Sequence, residues 1–251
     1  MLPRHPLSTL RHLSYSLHYA LVRRNYRHEL FTTTKYVDGV SFRSYELYNR
    51  HGEDVLLHAL LSNLSPGDVV IDVGANTGTY TLAAAASDPS VRVVAVEPNA
   101  RVADQLTSNI RLNEFENRVT HLACGIGNAD ETRTFHQSSY DELGSFSVAH
   151  ASAWEASVEE RVELQMRRLD SLVESGEVPP PDHIKIDVEG FGMEVLEGAT
   201  SVLERHQPTI YFEVHDARDG HDESAAAAVL RERGYRLIPV REGWVCEPRE
   251  S

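Results

Sequence analysis

The sequence predicts a doubly wound α/β fold built on a mostly parallel sheet. Three observations carry that expectation. The run Val69-Val70-Ile71-Asp72-Val73 is short, apolar and β-branched, as a strand buried on both faces requires. A glycine turn follows, Gly74-Ala75-Asn76-Thr77-Gly78, and then an alanine-rich segment from Thr79 to Ala86 that reads as a helix. Beyond this unit, apolar runs and helical patterns alternate, which is the signature of parallel strands joined by helical crossovers.

The elements follow in order. Residues 1–30 hold Arg4, Arg11, Arg23, Arg24 and Arg27 against a single acid, Glu29, while Leu7, Leu10, Leu13, Leu17 and Leu21 fall three or four apart. This is a basic amphipathic helix, suited to an anionic membrane surface or a partner, with the packing of its leucine face on the protein's own domain the preferred reading. Phe31 to Val37, Asp38-Gly39 and Val40 to Tyr45 read as a hairpin with a two-residue turn. Glu53 to Leu64 reads as an amphipathic helix, and residues 1–64 together are expected to form an N-terminal extension to a domain at 65–251. After Pro66-Gly67 and the first core strand, Val91 to Val96 is a second strand ending at Glu97-Pro98-Asn99. Ala100 to Asn113 is helical, and Val119 to Ala123 is a third strand ending in Cys124-Gly125.

The alternation then breaks. Residues 126–167 hold polar turns and short strand-like runs at Thr132 to His136, Ser145 to Val148 and Arg161 to Met166, a β-rich insertion of the kind that carries function on α/β scaffolds. Regular order returns after Pro179-Pro180-Pro181. His183 to Val188 reads as a strand, Phe191 to Arg205 as a helix, Thr209 to Val214 as a strand and Ser224 to Arg233 as a helix. Tyr235 to Val240 and Trp244 to Glu247 close the chain as a hairpin, which adds one reversed strand to the sheet.

Composition narrows the function. The chain has 251 residues and a formal net charge of −14, which argues against a general nucleic-acid binder. Lysine occurs only at Lys35 and Lys185; the other cations are arginine. An acid-rich, lysine-poor surface suits high salt, and a GC-rich genome yields the same bias. Cys124 and Cys246 lack metal-type spacing and point to a reducing cytoplasm. No apolar run is long enough to span a bilayer, and no signal-peptide pattern opens the chain.

The residues that carry chemistry stand at the ends of strands, where doubly wound sheets bind ligands. Glu97 ends the second strand, where a carboxylate can accept both hydroxyls of a ribose. The dinucleotide fingerprint Gly-x-Gly-x-x-Gly is not met, because Asn76 replaces its second glycine and Thr79 its third, which weighs against NAD or FAD. Asp187 and Glu189 lie two apart in Lys185-Ile186-Asp187-Val188-Glu189-Gly190, and Glu213 and His215 lie two apart in Phe212-Glu213-Val214-His215. Side chains two apart on a strand share a face, so each pair can converge. Such carboxylates can bind acceptor hydroxyls, serve as a base, hold a metal or cap a helix.

Asp72-Val-Gly74-Ala-Asn76-Thr-Gly78, Glu97-Pro98-Asn99 and Lys185-Ile-Asp187-Val-Glu189-Gly resemble, in order and spacing, the motifs of FkbM-type class I S-adenosylmethionine-dependent methyltransferases. Phe191-Gly192-Met193 departs from that family's usual continuation. The resemblance implies a Rossmann-like, seven-stranded sheet and S-adenosylmethionine as cofactor. Asp72, Gly74, Asn76 and Gly78 would line its methionine moiety, Glu97 and Asn99 its ribose, and Cys124 and Gly125 its adenine. It implies O-methylation of a hydroxyl on a sugar, glycolipid or natural product, with the insertion recognising the acceptor. His215 would be the base, supported by Asp187, Glu189 and Glu213. Two rivals stand beside it: an NAD-dependent oxidoreductase, which the missing Tyr-x-x-x-Lys pattern opposes, and a non-catalytic scaffold of the same fold.

The acid excess makes one expectation independent of any resemblance. Melting temperature, followed by circular dichroism, rises as potassium chloride goes from low to molar concentration, because screening relieves carboxylate repulsion. A flat or falling curve assigns the lysine scarcity to codon usage instead.

Overall fold

The computed structural model describes residues 17–18, 20–47, 54–138, 158–188, 190–214 and 223–249. Helix α1 covers residues 20–28. The strands β1 (Thr33–Val37) and β2 (Val40–Ser44) form a hairpin whose turn residues Asp38 and Gly39 both have positive φ (47° and 78°), the mirror-image turn that matches strand twist. Then follow α2 (Val55–Asn63), β3 (Val69–Val73), α3 (Thr79–Ser87), β4 (Arg92–Val96), α4 (Ala100–Leu112), β5 (Val119–Leu122) and β6 (Gly125–Ile126). The next elements are β7 (Glu131–Ser138), β8 (Val158–Arg167), α5 (Leu169–Glu174), β9 (His183–Ile186), α6 (Gly192–Gly198), α7 (Thr200–His206) and β10 (Thr209–Glu213). The chain ends with α8 (Glu223–Glu232), β11 (Tyr235–Val240) and β12 (Gly243–Pro248).

The main sheet has seven strands in the order β11-β12-β10-β9-β3-β4-β5. Only β12 runs against the others, pairing antiparallel with both β10 and β11. The expected seven-stranded, mostly parallel sheet with one reversed strand is the sheet observed. Its strands divide the core by alternation, as a period of two demands. Ile71, Val73, Val94 and Val96 face the layer of Leu169, Val195, Leu203 and Leu230 from α5 to α8. Val70, Val93 and Ala95 face the layer of Leu57, Leu82 and Leu106 from α2 to α4. Val37 and Phe42 of the hairpin join this second layer. The insertion is β-rich: β6, β8 and β7 form a separate three-stranded sheet. The strand expected at Ser145 to Val148 lies outside the described residues.

Four local expectations are corrected. The segment Phe191 to Arg205 is two helices, because Ala199 leaves helical geometry (φ −113°, ψ 14°). Gly198, just before it, packs on the insertion so closely that a Cβ there would lie 1.9 Å from the Gly127 carbonyl oxygen. Helix α5 was not expected; its Asp170, buried, accepts the Val202 N–H of α7 at 3.0 Å and an Arg168 N–H at 2.8 Å. The third core strand stops at Leu122, and Gly125 opens β6 in the other sheet. Finally, Leu17 and Leu21 are exposed, whereas Val22, Asn25 and Tyr26 of the same helix are buried. Leu7, Leu10 and Leu13 lie outside the described residues.

Asn109 of α4, fully buried, joins the N-terminal elements to the glycine turn. Its amide donates to the Thr77 carbonyl (2.8 Å) and to the Tyr26 hydroxyl (2.9 Å), and its oxygen accepts the Tyr45 N–H (3.0 Å). Asn109→Ala removes all three bonds at a buried site and is expected to cost about 2–4 kcal/mol, read from urea unfolding.

Candidate functional site

The site lies at the carboxyl ends of β3, β4, β9 and β10. Leaving β3, the chain takes left-handed geometry at Gly74, Asn76 and Gly78 (φ 84°, 51° and 97°). Asparagine tolerates that region because its side chain bonds locally; here Asn76 Oδ1 accepts the Thr77 N–H at 2.7 Å. Gly74 is required twice over, since a Cβ would also lie 1.9 Å from the Asp187 carbonyl oxygen. The N–H groups of Gly74 and Ala75 both donate to the Val96 carbonyl at 3.0 Å, fixing the turn against the end of β4.

Glu97, one residue past β4, is buried and acts as a two-handed acceptor. Its Oε2 takes the Asn76 N–H at 3.0 Å and its Oε1 takes the Asn99 N–H at 2.8 Å. The first bond holds the glycine turn and the second the start of α4, where the Asn99 side chain caps the helix through the Arg101 N–H. Burial, partly offset by these bonds, pushes the Glu97 pKa up to about 7. Asp72 lies within β3, buried, accepting the Thr81 hydroxyl at 2.6 Å, and burial pushes its pKa up to about 6.

On the other side of β3, register places Lys185 of β9 beside Asp72 and beside Tyr211 of β10. The Lys185 ammonium lies 2.7 Å from Glu213 Oε2 and 3.6 Å from Asp187 Oδ2, and 4.7 Å above the Tyr80 ring. Tyr80 donates its hydroxyl to Asp54 Oδ1 at 2.7 Å, and Asp54 also caps α2 through the Leu57 N–H. Asp72, Asp187 and Glu213 are thus gathered around one cation. Sequence reasoning passed over that cation; its signal was that lysine is so scarce. Tyr80, Thr81 and Asp54 carried no signal. Glu189 and His215 lie outside the described residues. Cys124 is buried in the core, where burial pushes its thiol up to about 11.

The β7–β8 hairpin flanks this crevice. Residues opposite one another in an antiparallel pair share a face. Arg133 of that hairpin lies 4.8 Å over the Phe191 ring, just past the end of β9. At its other end Glu160 reaches Arg101, just past the end of β4, at 3.7 Å. Gln137, opposite Glu160, has a buried Oε1 without a hydrogen-bond partner. Among the described residues no three His, Cys, Asp or Glu side chains are grouped to hold a metal ion, and no helix is long and apolar enough to cross a membrane.

A seven-stranded doubly wound sheet with a glycine turn after β3 and an acid just past the neighbouring β4 is the layout of a nucleoside-binding α/β protein. Residues 72–237 match the family model described as the methyltransferase FkbM domain, and the chain belongs to that family of methyltransferases. It is similar to the hexuronic acid methyltransferase AglP of Haloferax volcanii, at 32% identity over 181 residues, covering 72% of this chain and 69% of that one. It is similar also to the 31-O-demethyl-FK506 methyltransferase FkbM of Streptomyces tacrolimicus, at 26% identity over 221 residues, covering 78% and 79%. The solved structure of methyltransferase FkbM from Methylobacillus flagellatus shares the fold, with a TM-score of 0.52 at 20% identity. That match covers 75% of this chain, which spans 45% of the solved one. Family membership sets aside the NAD-dependent oxidoreductase.

The raised Glu97 pKa has a definite sign in stability. An acid whose ordinary value is 4.5 and whose folded value is about 7 keeps its proton in the native state after the unfolded chain has lost it. Native stability therefore falls as pH rises through that window, by on the order of 2–3 kcal/mol from this group. Urea unfolding of the ligand-free protein at about pH 5 and about pH 8 is expected to show the fall, and Glu97→Gln to reduce it. Asp72 leaves a smaller residue of the same sign.

Proposed function

We propose that the protein transfers a methyl group from S-adenosylmethionine to an oxygen of a sugar, glycolipid or natural-product acceptor. The observation that carries this reading is Glu97. It is buried and accepting at the end of β4, both its oxygens are oriented by backbone N–H groups, and each retains a lone pair for a ribose hydroxyl. The donor set fits the cofactor: a carboxyl that, once ionised above its raised pKa of about 7, accepts from both hydroxyls of a diol, and a left-handed turn that brings backbone close beneath the methionine end. Gly74, Asn76, Gly78 and, through water, Asp72 are assigned to the methionine moiety. Asn99 is assigned to the ribose side, and Cys124 with Gly125 to the adenine side beyond β5. The names of the two relatives, a hexuronic acid methyltransferase and a 31-O-demethyl-FK506 methyltransferase, support a small hydroxylated acceptor.

Held by these residues, the cofactor would supply an electrophilic methyl whose S–C bond pair would stay on sulfur as the acceptor oxygen formed the O–C bond. The chain's part is to align the acceptor oxygen and to take its proton. We assign the proton to His215, two residues beyond Glu213, with Asp187, Glu189 and Glu213 orienting the imidazole and the acceptor. The β7–β8 hairpin is assigned the acceptor side, since it meets both Phe191 and Arg101 at the rim of the crevice. Residues 1–64 are read as an extension that walls the site, because Asn109 and Asp54 join α1, β2 and α2 to it. A cytoplasmic, salt-adapted protein with peripheral membrane contact through residues 1–30 is the setting we favour, supported by the exposed Leu17 and Leu21 beside the basic side chains of α1.

Calorimetry tests the cofactor. S-adenosylmethionine is expected to bind in the micromolar range, near −8 kcal/mol, and Glu97→Ala to lose about 2–4 kcal/mol of that. Heat from NAD with none from S-adenosylmethionine overturns the reading. His215→Ala is expected to lower turnover about 10²–10⁴-fold with cofactor affinity nearly unchanged; full turnover with the true acceptor removes His215 from the mechanism.

A further inference from the structure

Lys185 is where the structure goes beyond the motif that contains it. The chain uses arginine almost everywhere a cation is needed, yet keeps lysine at this buried position, with 1% of its surface exposed. Burying an ammonium is costly, and a buried ion pair adds little net stability over apolar packing. The geometry suggests what is gained in return. Among the described residues, the groups that bear on the ammonium all bear on charge: Asp72 from β3, Asp187 past the end of β9, Glu213 from β10, and from α3 the Tyr80 ring, itself clamped to Asp54. Three donors on a compact point charge can serve carboxylates from two strands at once; a guanidinium fork fits one carboxylate edge-on and is larger. Burial disfavours the lysine's charge, but the charges of Asp187, Glu213 and Asp72 outweigh it, so its pKa stands above the ordinary value.

We propose that Lys185 is a positioning residue of the transfer site: its ammonium is shared by Glu213 and Asp187, fixes both carboxylates at neighbouring strand ends, and keeps both anionic at neutral pH. This rests on the reading of these strand ends as the place of methyl transfer. Two crowded carboxylates without a cation compete, and one retains a proton. A protonated acid offers less to an acceptor hydroxyl or an imidazolium, because it has turned from acceptor to donor. Lys185 thus prepares the acids assigned to the acceptor without touching the acceptor itself.

Carboxyl carbon NMR of the full-length, ligand-free protein tests this without knowledge of the acceptor, with Asp187 and Glu213 assigned by substitution. In the wild type both carboxyls are expected to be ionised at about pH 6, close to or below the ordinary carboxylate range. Either of them holding its proton there overturns the proposal, and this measurement needs no variant of Lys185 to fold. In Lys185→Met, with its fold checked by circular dichroism, one of the two is expected to titrate about one to three pH units higher. Lys185→Arg is expected to recover part of that shift. Unchanged titration in folded Lys185→Met reduces Lys185 to a structural role and defeats the proposal. Calorimetry of the wild type with S-adenosylmethionine runs beside it. Normal titrations with no cofactor binding defeat the methyl-transfer reading; cofactor binding with unchanged titrations defeats the assignment of Lys185.

Discussion

The site depends on how closely β3 and β9 approach at their carboxyl ends. The Asp187 carbonyl sits where a Cβ of residue 74 would be, so only glycine lets the two strand ends meet. Because they meet, the Asp187 N–H can donate to the Val73 carbonyl (3.0 Å) and the pairing runs one residue past the regular strands. That contact carries Asp187 and Lys185 up against Asp72, and it turns the chain after β3 toward Glu97. A larger residue at 74 would separate the acid cluster on one side from the carboxylate on the other. The functional halves of the crevice are thus held together by an absence of atoms.

Around this contact, two carboxylates do different work because their surroundings differ. Glu97 has backbone donors on both oxygens and is shaped by the two turns it joins. Asp72 has a hydroxyl partner from α3 and a cation nearby, and is tied into the layer beneath the sheet. Both are buried, but only Glu97 stands past the end of its strand, where a ligand can share its oxygens. The N-terminal elements contribute to the same construction. Asn109 ties α1 and β2 to the carbonyl of Thr77, and Lys35 of β1 pairs with Glu46 beside Thr79 at the start of α3.

Much of this was readable from the chain. The strands β3 and β4 announced themselves because they are buried on both faces and carry β-branched runs, and Gly74, Asn76, Gly78 and Glu97 were readable because their positions follow directly from those two strands. What was not readable depends on partners distant in sequence. The break at Ala199 follows from the seating of Gly198 on Gly127, and neither residue signals the other. The buried stripe of α1 contains Asn25 and Tyr26, which find the Tyr45 carbonyl and the Asn109 amide, so a reading by hydrophobicity alone chose the leucines. Asp54 carried no signal, yet it caps α2, and its bond to Tyr80 ties that cap to the site. Lys185 sat in plain view inside a recognised motif, and its burial could not be seen there.

The burial of both lysines has a practical side. Lys35 and Lys185 are the chain's only side-chain amines, and each is 1% exposed. Reagents that acylate amines will find no side-chain target on the folded surface, and both targets at once when the chain opens. One lysine reports on the hairpin and its contact with α3, the other on the centre of the sheet. The protein therefore carries a built-in two-point footprint of its own unfolding, in which the order of modification gives the order in which extension and sheet come apart.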